Sequence, residues 1–238
     1  MSLTETSAPA CAQASGTDLK ANGTVDFLKA LLAHTSGNAY ICSFTNEREL
    51  GAERHIHTRN FGHVADFMDK WDRTGRGMFV CVSTQKDGTQ KRNKDNCQDT
   101  GSVHGDIDFK HVDGLGTDPR AEVLKQLTRL RLPPSALVYS GNGIHPYYLL
   151  KEPVSTHDNA ERLEALYRQL SDIIAGDLAV CEVARVMRLP GTHNTKDGAF
   201  TEVEIIELHP ERRYDIEELE EWLSEQSPVM LRKVAAED

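Results

Sequence analysis

The sequence has five cysteines in 238 residues, an odd number scattered as Cys11, Cys42, Cys81, Cys97 and Cys181 with no Cys-x-x-Cys pair. That spacing excludes a zinc finger and a disulfide framework, and leaves reduced, mostly buried thiols. The 10 histidines do not fall at ligand spacing either; His55 and His57 come nearest. No apolar run approaches the ~18 residues of a membrane span. The first 17 residues lack the basic start and apolar stretch of a secretion signal. A cytoplasmic protein with no membrane partner is the expectation. Positive charge is also short: 27 Lys and Arg stand against 37 Asp and Glu, a net charge of −10. A protein that coats nucleic acid nonspecifically needs the reverse balance, because phosphate neutralisation dominates such binding. An enzyme with a local basic channel is compatible with it.

What is present reads as ordered elements after a polar leader over residues 1–20. Val25, Phe27, Leu28, Leu31 and Leu32 recur at helical spacing, and Gly37 follows as a stop. Strands are expected at 39–44, 54–58 and 78–82, with a helix over 63–71 carrying Val64, Phe67, Met68 and Trp71. Residues 83–100 mix Lys, Arg, Asn, Asp and Gln with almost no large apolar group, which predicts a long surface loop. From 102 the order is strand (102–109), helix (119–131), strand (136–140), Gly141-Asn142-Gly143 turn, strand (145–150), helix (158–175) and strand (183–189). That β-α-β-β-α-β order matches the split βαβ unit, in which both helices cover one sheet face and leave the other open for chemistry. A strand over 202–207 and a helix capped by Asp215 follow. The fold class expected is α+β: an N-terminal α/β subdomain (21–100) packed on an RRM-like subdomain (101–210), closed by a C-terminal helix (211–230).

Three polar stations fall on this unit. In Ser-Val-His-Gly-Asp-Ile-Asp-Phe-Lys, residues 102–110, the alternation places His104, Asp106, Asp108 and Lys110 on one strand face. Side chains at i and i+2 lie ~7 Å apart at the backbone, close enough for two carboxylates to converge on divalent cations. Acidic residues are common here, so the pair gains weight only from its neighbours. The second station is Ser140, Gly141, Asn142, Gly143 and His145 at the hairpin tip, where glycines let backbone N–H groups approach an anion. The third runs from Asp177 to Lys196, with Arg185, Arg188 and Lys196 suited to phosphate. Metal-assisted phosphate chemistry needs those charges in one cleft.

These residues resemble the archaeo-eukaryotic primase superfamily, specifically the small primase-polymerases of phages, plasmids and mobile elements. Asp106-Ile-Asp108 is similar to its acid-x-acid strand, and Ser140-Gly-Asn-Gly-Ile-His145 to its Ser/Gly turn carrying a His. Asp177 with Arg185, Arg188 and Leu189-Pro-Gly-Thr-His-Asn-Thr-Lys196 is similar to its third motif. The resemblance spans roughly residues 40–225. It implies the primase-polymerase fold and two Mg²⁺ or Mn²⁺ ions held by Asp106, Asp108 and Asp177; the zinc site that many relatives carry is not expected here, given the cysteine spacing. Ser140, His145, Arg185, Arg188 and Lys196 would hold the β- and γ-phosphates of an NTP or dNTP, with the turn residues Gly141, Asn142 and Gly143. Glu182 competes with Asp177 as the third acid.

The activity so implied is template-dependent nucleotidyl transfer, as a DNA primase, a DNA polymerase or both. Its partners would be a single-stranded DNA template and a helicase or further domain supplied separately. Template contact is assigned to the basic loop at Lys91, Arg92 and Lys94. Two alternatives stay open. A two-metal nuclease would use the same three acids without needing a triphosphate pocket. An RRM-like binding module would need exposed aromatics on the central strands, where this sequence shows His104, Asp106, Asp108 and Lys110.

Overall fold

The computed structural model describes residues 16–47 and 52–226. Residues 1–15, most of the expected leader, lie outside them, as does Cys11. Residues 16–20 are not leader but the start of a helix, α1 (Gly16–Leu31), and Phe27, Leu28 and Leu31 on it are buried. β1 (Ala39–Thr45) and β2 (Arg54–Thr58) form a hairpin, α2 (Gly62–Trp71) follows, and β3 (Arg76–Cys81) returns against β1.

The loop expected over 83–100 is a correction. Only its middle is loop; its ends are strands β4 (Ser83–Gln85) and β5 (Cys97–His104), paired antiparallel. Most residues there are polar and buried, and Thr84, Asp99 and Thr100 find local partners. Thr84 Oγ1 donates to Asp99, Ser36 donates to Asp99 Oδ2 through both its N–H and its hydroxyl at 2.7 Å, and Thr100 Oγ1 donates to the Val82 carbonyl at 3.0 Å. Satisfied hydrogen bonds let such residues enter a sheet that a hydrophobic pattern cannot announce.

Then come β6 (Ile107–Asp108), α3 (Pro119–Leu127), β7 (Ala136–Tyr139), β8 (Gly143–Ser155) and α4 (Thr156–Ile174). β9 (Val186–Arg188), β10 (His193–Asn194), β11 (Thr201–Glu202), β12 (Glu204–Leu208), β13 (Arg213–Tyr214) and α5 (Ile216–Glu225) complete the order. The larger sheet runs β12-β7-β8-β5-β4, with β6 and β13 also on β8; the smaller runs β2-β1-β3-β9; β10 and β11 form a ribbon. Asp215 does precede α5, but its side chain makes no cap bond and instead meets Lys151 at 2.6 Å.

Two features depart from the split βαβ expectation. The last strand, β9, joins the smaller sheet against β3, with Phe79 opposite Arg188, and β4 takes the place beside β5. The sheet face expected to be open is covered as well. Tyr148 and Leu150 of β8 pack with α4 and α5 residues such as Leu166 and Trp222, while Tyr147 and Leu149 pack on the other side with Phe27, Leu31, Ile41 and Met187. A strand buried on both faces reads as the continuous apolar run seen in β8. Chemistry is therefore confined to the strand ends where the two layers meet. No helix among the described residues is long and apolar enough to cross a membrane.

Candidate active site

β5 ends at His104, and the chain breaks before β6 resumes at Ile107. The break matters more than the expected uninterrupted strand would. It turns His104 inward, fully buried with Nε2 3.1 Å from the Val180 carbonyl, and leaves Asp106 at the mouth of a cleft. His104 is thus no member of an exposed face; burial pushes its pKa down to about 4, so it is neutral. The Asp106 carbonyl accepts the Asp177 N–H at 2.7 Å, which ties the first and third stations together through the backbone. Asp108 sits opposite Gly143 in the β6–β8 pairing, where a Cβ on Gly143 would stand 2.2 Å from the Ile107 carbonyl oxygen. Glycine at 143 is what lets the acid strand lie against the turn.

The β7–β8 turn has Gly141 at φ +100°, the conformation of the first central residue of a II′ hairpin. A Cβ there would also lie 2.9 Å from Asn194. Asn194, on the ribbon, donates from Nδ2 to the Ser140 carbonyl at 2.9 Å and accepts the Lys196 N–H on Oδ1 at 3.1 Å. This side chain links the second station to the third. Reading the sequence gave it no role, though it stands in the Leu189–Lys196 motif.

All the carboxylate, turn and phosphate candidates line one cleft of about 800 Å³: Asp106, Asp108 and Asp177; Ser140, Gly141, Asn142, Gly143 and His145; Arg185, Arg188 and Lys196. Glu182 is not in the lining and lies 4.0 Å from Arg185 instead. Phe79, Lys110 and Asp197 are lining residues that sequence reasoning missed as site residues. The basic loop is elsewhere. Arg92 donates to the Ala184 carbonyl, Lys94 pairs with Glu164 at 2.7 Å, and neither they nor Lys91 line the cleft.

The electrostatics are those of an anion site facing an acid cluster. Burial alone would push the Asp106 carboxyl up, but the His145 charge and hydrogen bond, with Arg185 and Arg188, hold it below the ordinary range. His145 Nε2 stands 3.4 Å from Asp106 Oδ1. Arg188 lies over the Phe79 ring at 5.1 Å, and desolvation lowers its pKa to about 10 despite the attraction of Asp106. Arg188 Nη1 and Arg185 Nε are buried with no hydrogen-bond partner. Buried donors of this kind call for an acceptor. Lys110 Nζ lies 3.0 Å from Asp108 Oδ2; that bond raises its pKa, and Asp177 and Asp197 add to the effect.

The fit to divalent ions divides into chemistry and geometry. Three carboxylates are the hard oxygen donors that Mg²⁺ and Mn²⁺ prefer, and an ammonium already sits within their field. Among the described residues, however, no three His, Cys, Asp or Glu side chains form a ready metal cluster. The donor set suits the ions, and the side chains would close on them with Lys110 withdrawn.

No protein-family model matches the chain. No curated protein matches it either. Solved structures do. The chain is similar to the AEP domain of the cyanophage S-2L primase-polymerase at 17% identity and TM-score 0.63, over 85% of this chain and 97% of that one. It is similar to the primase RepB′ at 12% identity and TM-score 0.58, over 86% of this chain and 61% of that one. The catalytic domain of RepB′ in complex with initiator DNA gives 11% identity and TM-score 0.55, over 86% and 92%. At such identities the likeness is one of architecture: this chain has the fold of those primase and primase-polymerase domains.

Proposed function

We propose that the chain is a template-directed nucleotidyltransferase that joins a 3′-hydroxyl to the α-phosphate of a nucleoside or deoxynucleoside triphosphate, in priming, extension or both. The observation that carries the reading is the pair of arginines, Arg185 and Arg188, each half-buried with one buried donor left unpartnered, lining the same cleft as Asp106. A nuclease working on a diester has no use for that much fixed positive charge beside the acids. A triphosphate does.

In this reading Arg188, Arg185 and Lys196 bind the β- and γ-phosphate oxygens, two by guanidinium and one as a point charge. The Ser140–Gly143 turn lies along the triphosphate, its position held by Asn194. Asp106, Asp108 and Asp177 would hold two Mg²⁺ or Mn²⁺ ions, with His145 positioning the Asp106 carboxylate through Nε2. When bound, such ions supply charge that lowers the pKa of the attacking hydroxyl and offsets the charge of the leaving pyrophosphate. Lys110 would have to leave Asp108 for that carboxylate to hold an ion. The Arg188 guanidinium keeps its proton throughout and meets the charge that builds on the leaving group.

The test is a gel assay on single-stranded DNA, with and without primer, using labelled nucleotides and Mg²⁺ or Mn²⁺. Template-dependent products are expected from the wild type and none from a folded Asp106→Ala variant. Shortened template, or undiminished product from Asp106→Ala, would overturn the reading.

A further inference from the structure

The ribbon of β10 and β11 forms one wall of the cleft, and strand alternation gives that wall two faces. Asn194 points inward to the Ser140 carbonyl. His193, its neighbour, faces outward: its N–H and Nδ1 meet Asp72 at 2.9 and 2.7 Å, and its ring stacks on Phe200 at 4.0 Å with 15° between planes. Phe200 is 53% exposed, one of two large apolar side chains so exposed among the described residues. The phenyl is thus held flat by a histidine that a carboxylate anchors, with its other face open to solvent.

Asp72 leads directly to the second half of the surface. Trp71 is ringed by four cations, with Arg73 at 4.9 Å, Arg76 at 5.0 Å, Arg54 at 5.4 Å and Lys70 at 5.5 Å from the ring centroid. Arg76 is committed beneath it to Ser43. Lys70 and Arg73 are exposed and make no ion pair among the described residues. This cluster stands out in a chain of net charge −10.

We propose that the outer face of the ribbon and the Trp71 cluster together form a binding strip for single-stranded nucleic acid that leads to the cleft. Trp71 gathers Lys70 and Arg73 beside it to meet phosphates, and Phe200 offers the face on which a base stacks. Alternating cations and an exposed ring are what sequence-tolerant single-strand binding requires. The strip adjoins the active cleft through one element, since the ribbon that carries His193 also carries Asn194 and leads into Lys196. It replaces the Lys91–Lys94 loop, whose Arg92 and Lys94 are tied to Ala184 and Glu164. The proposal rests on the template-directed reading above and supplies its template site.

Binding of a fluorescein-labelled oligothymidylate to the full chain, followed by anisotropy across a salt series without nucleotide or metal, tests it. Phe200→Ala should weaken binding by at least about fivefold, the loss of one stacked base. Lys70→Ala/Arg73→Ala should lower the slope of log affinity against log salt by about 1 to 2, at about 0.7 per phosphate lost. All three side chains are at the surface, and melting curves verify the fold. Wild-type affinity and slope in both variants, or a loss confined to Lys91→Ala, would overturn the strip. Because this assay involves no chemistry, it fails separately from the catalytic reading, which stands or falls on Asp106→Ala.

Discussion

Replacing Arg188 by methionine should make the protein more stable and less able to bind triphosphate, an unusual pairing that follows from the way this guanidinium is held. Desolvation brings its pKa to about 10, well below the ordinary arginine range. At about 1.4 kcal/mol per pKa unit, keeping the charge in place costs the empty protein about 3 kcal/mol. Methionine fills similar volume without the charge. It forfeits the contact with Phe79, a cation–π interaction of about 1 kcal/mol; the attraction of Asp106 is already contained in the lowered pKa. The net gain should be about 1–2 kcal/mol, or about 2–8 °C in Tm for a chain of this size. Inorganic tripolyphosphate at ten times its Kd should add about 1.4 kcal/mol to the wild type and far less to the variant. Differential scanning fluorimetry with and without tripolyphosphate, backed by urea titrations, reads both effects. A variant less stable than wild type by 1 kcal/mol or more would refute the reasoning, as would equal stabilisation of both proteins by the ligand.

Two further substitutions test the parts around that charge. Gly141→Ala forces a Cβ into a backbone at φ +100° and against Asn194; a loss of about 1–3 kcal/mol in urea unfolding is expected, with kcat reduced, and wild-type values for both would show that the turn needs no glycine. Lys110→Gln removes the ammonium that a divalent ion must displace from Asp108. An exposed pair of this type is worth about 0.2–1 kcal/mol, so the Mg²⁺ or Mn²⁺ concentration for half-maximal activity should fall by up to about fivefold; a rise would mean that Lys110 helps to hold substrate instead.

The sequence by itself determined most of the secondary structure and the chemistry of the site. Apolar spacing announced α2 and α4 to within a few residues, because each buries a regular face, and β2 and β7 fall where strands were expected. Acid-x-acid, glycine turn and arginine pair were visible because the proposed phosphate chemistry draws on few residue types. Tertiary structure decided the rest. β4 and the start of β5 were hidden because Thr84, Asp99 and Thr100 are buried through hydrogen bonds rather than through apolar surface. The placement of β9 in the smaller sheet, and the covering of β8 on both faces, depend on which layer packs against which, and no local pattern encodes that. The same holds for Asn194, Lys110 and the Trp71 cluster. Each is an ordinary polar or aromatic residue in the chain, and its role comes from the neighbours that folding brings to it across long stretches of sequence.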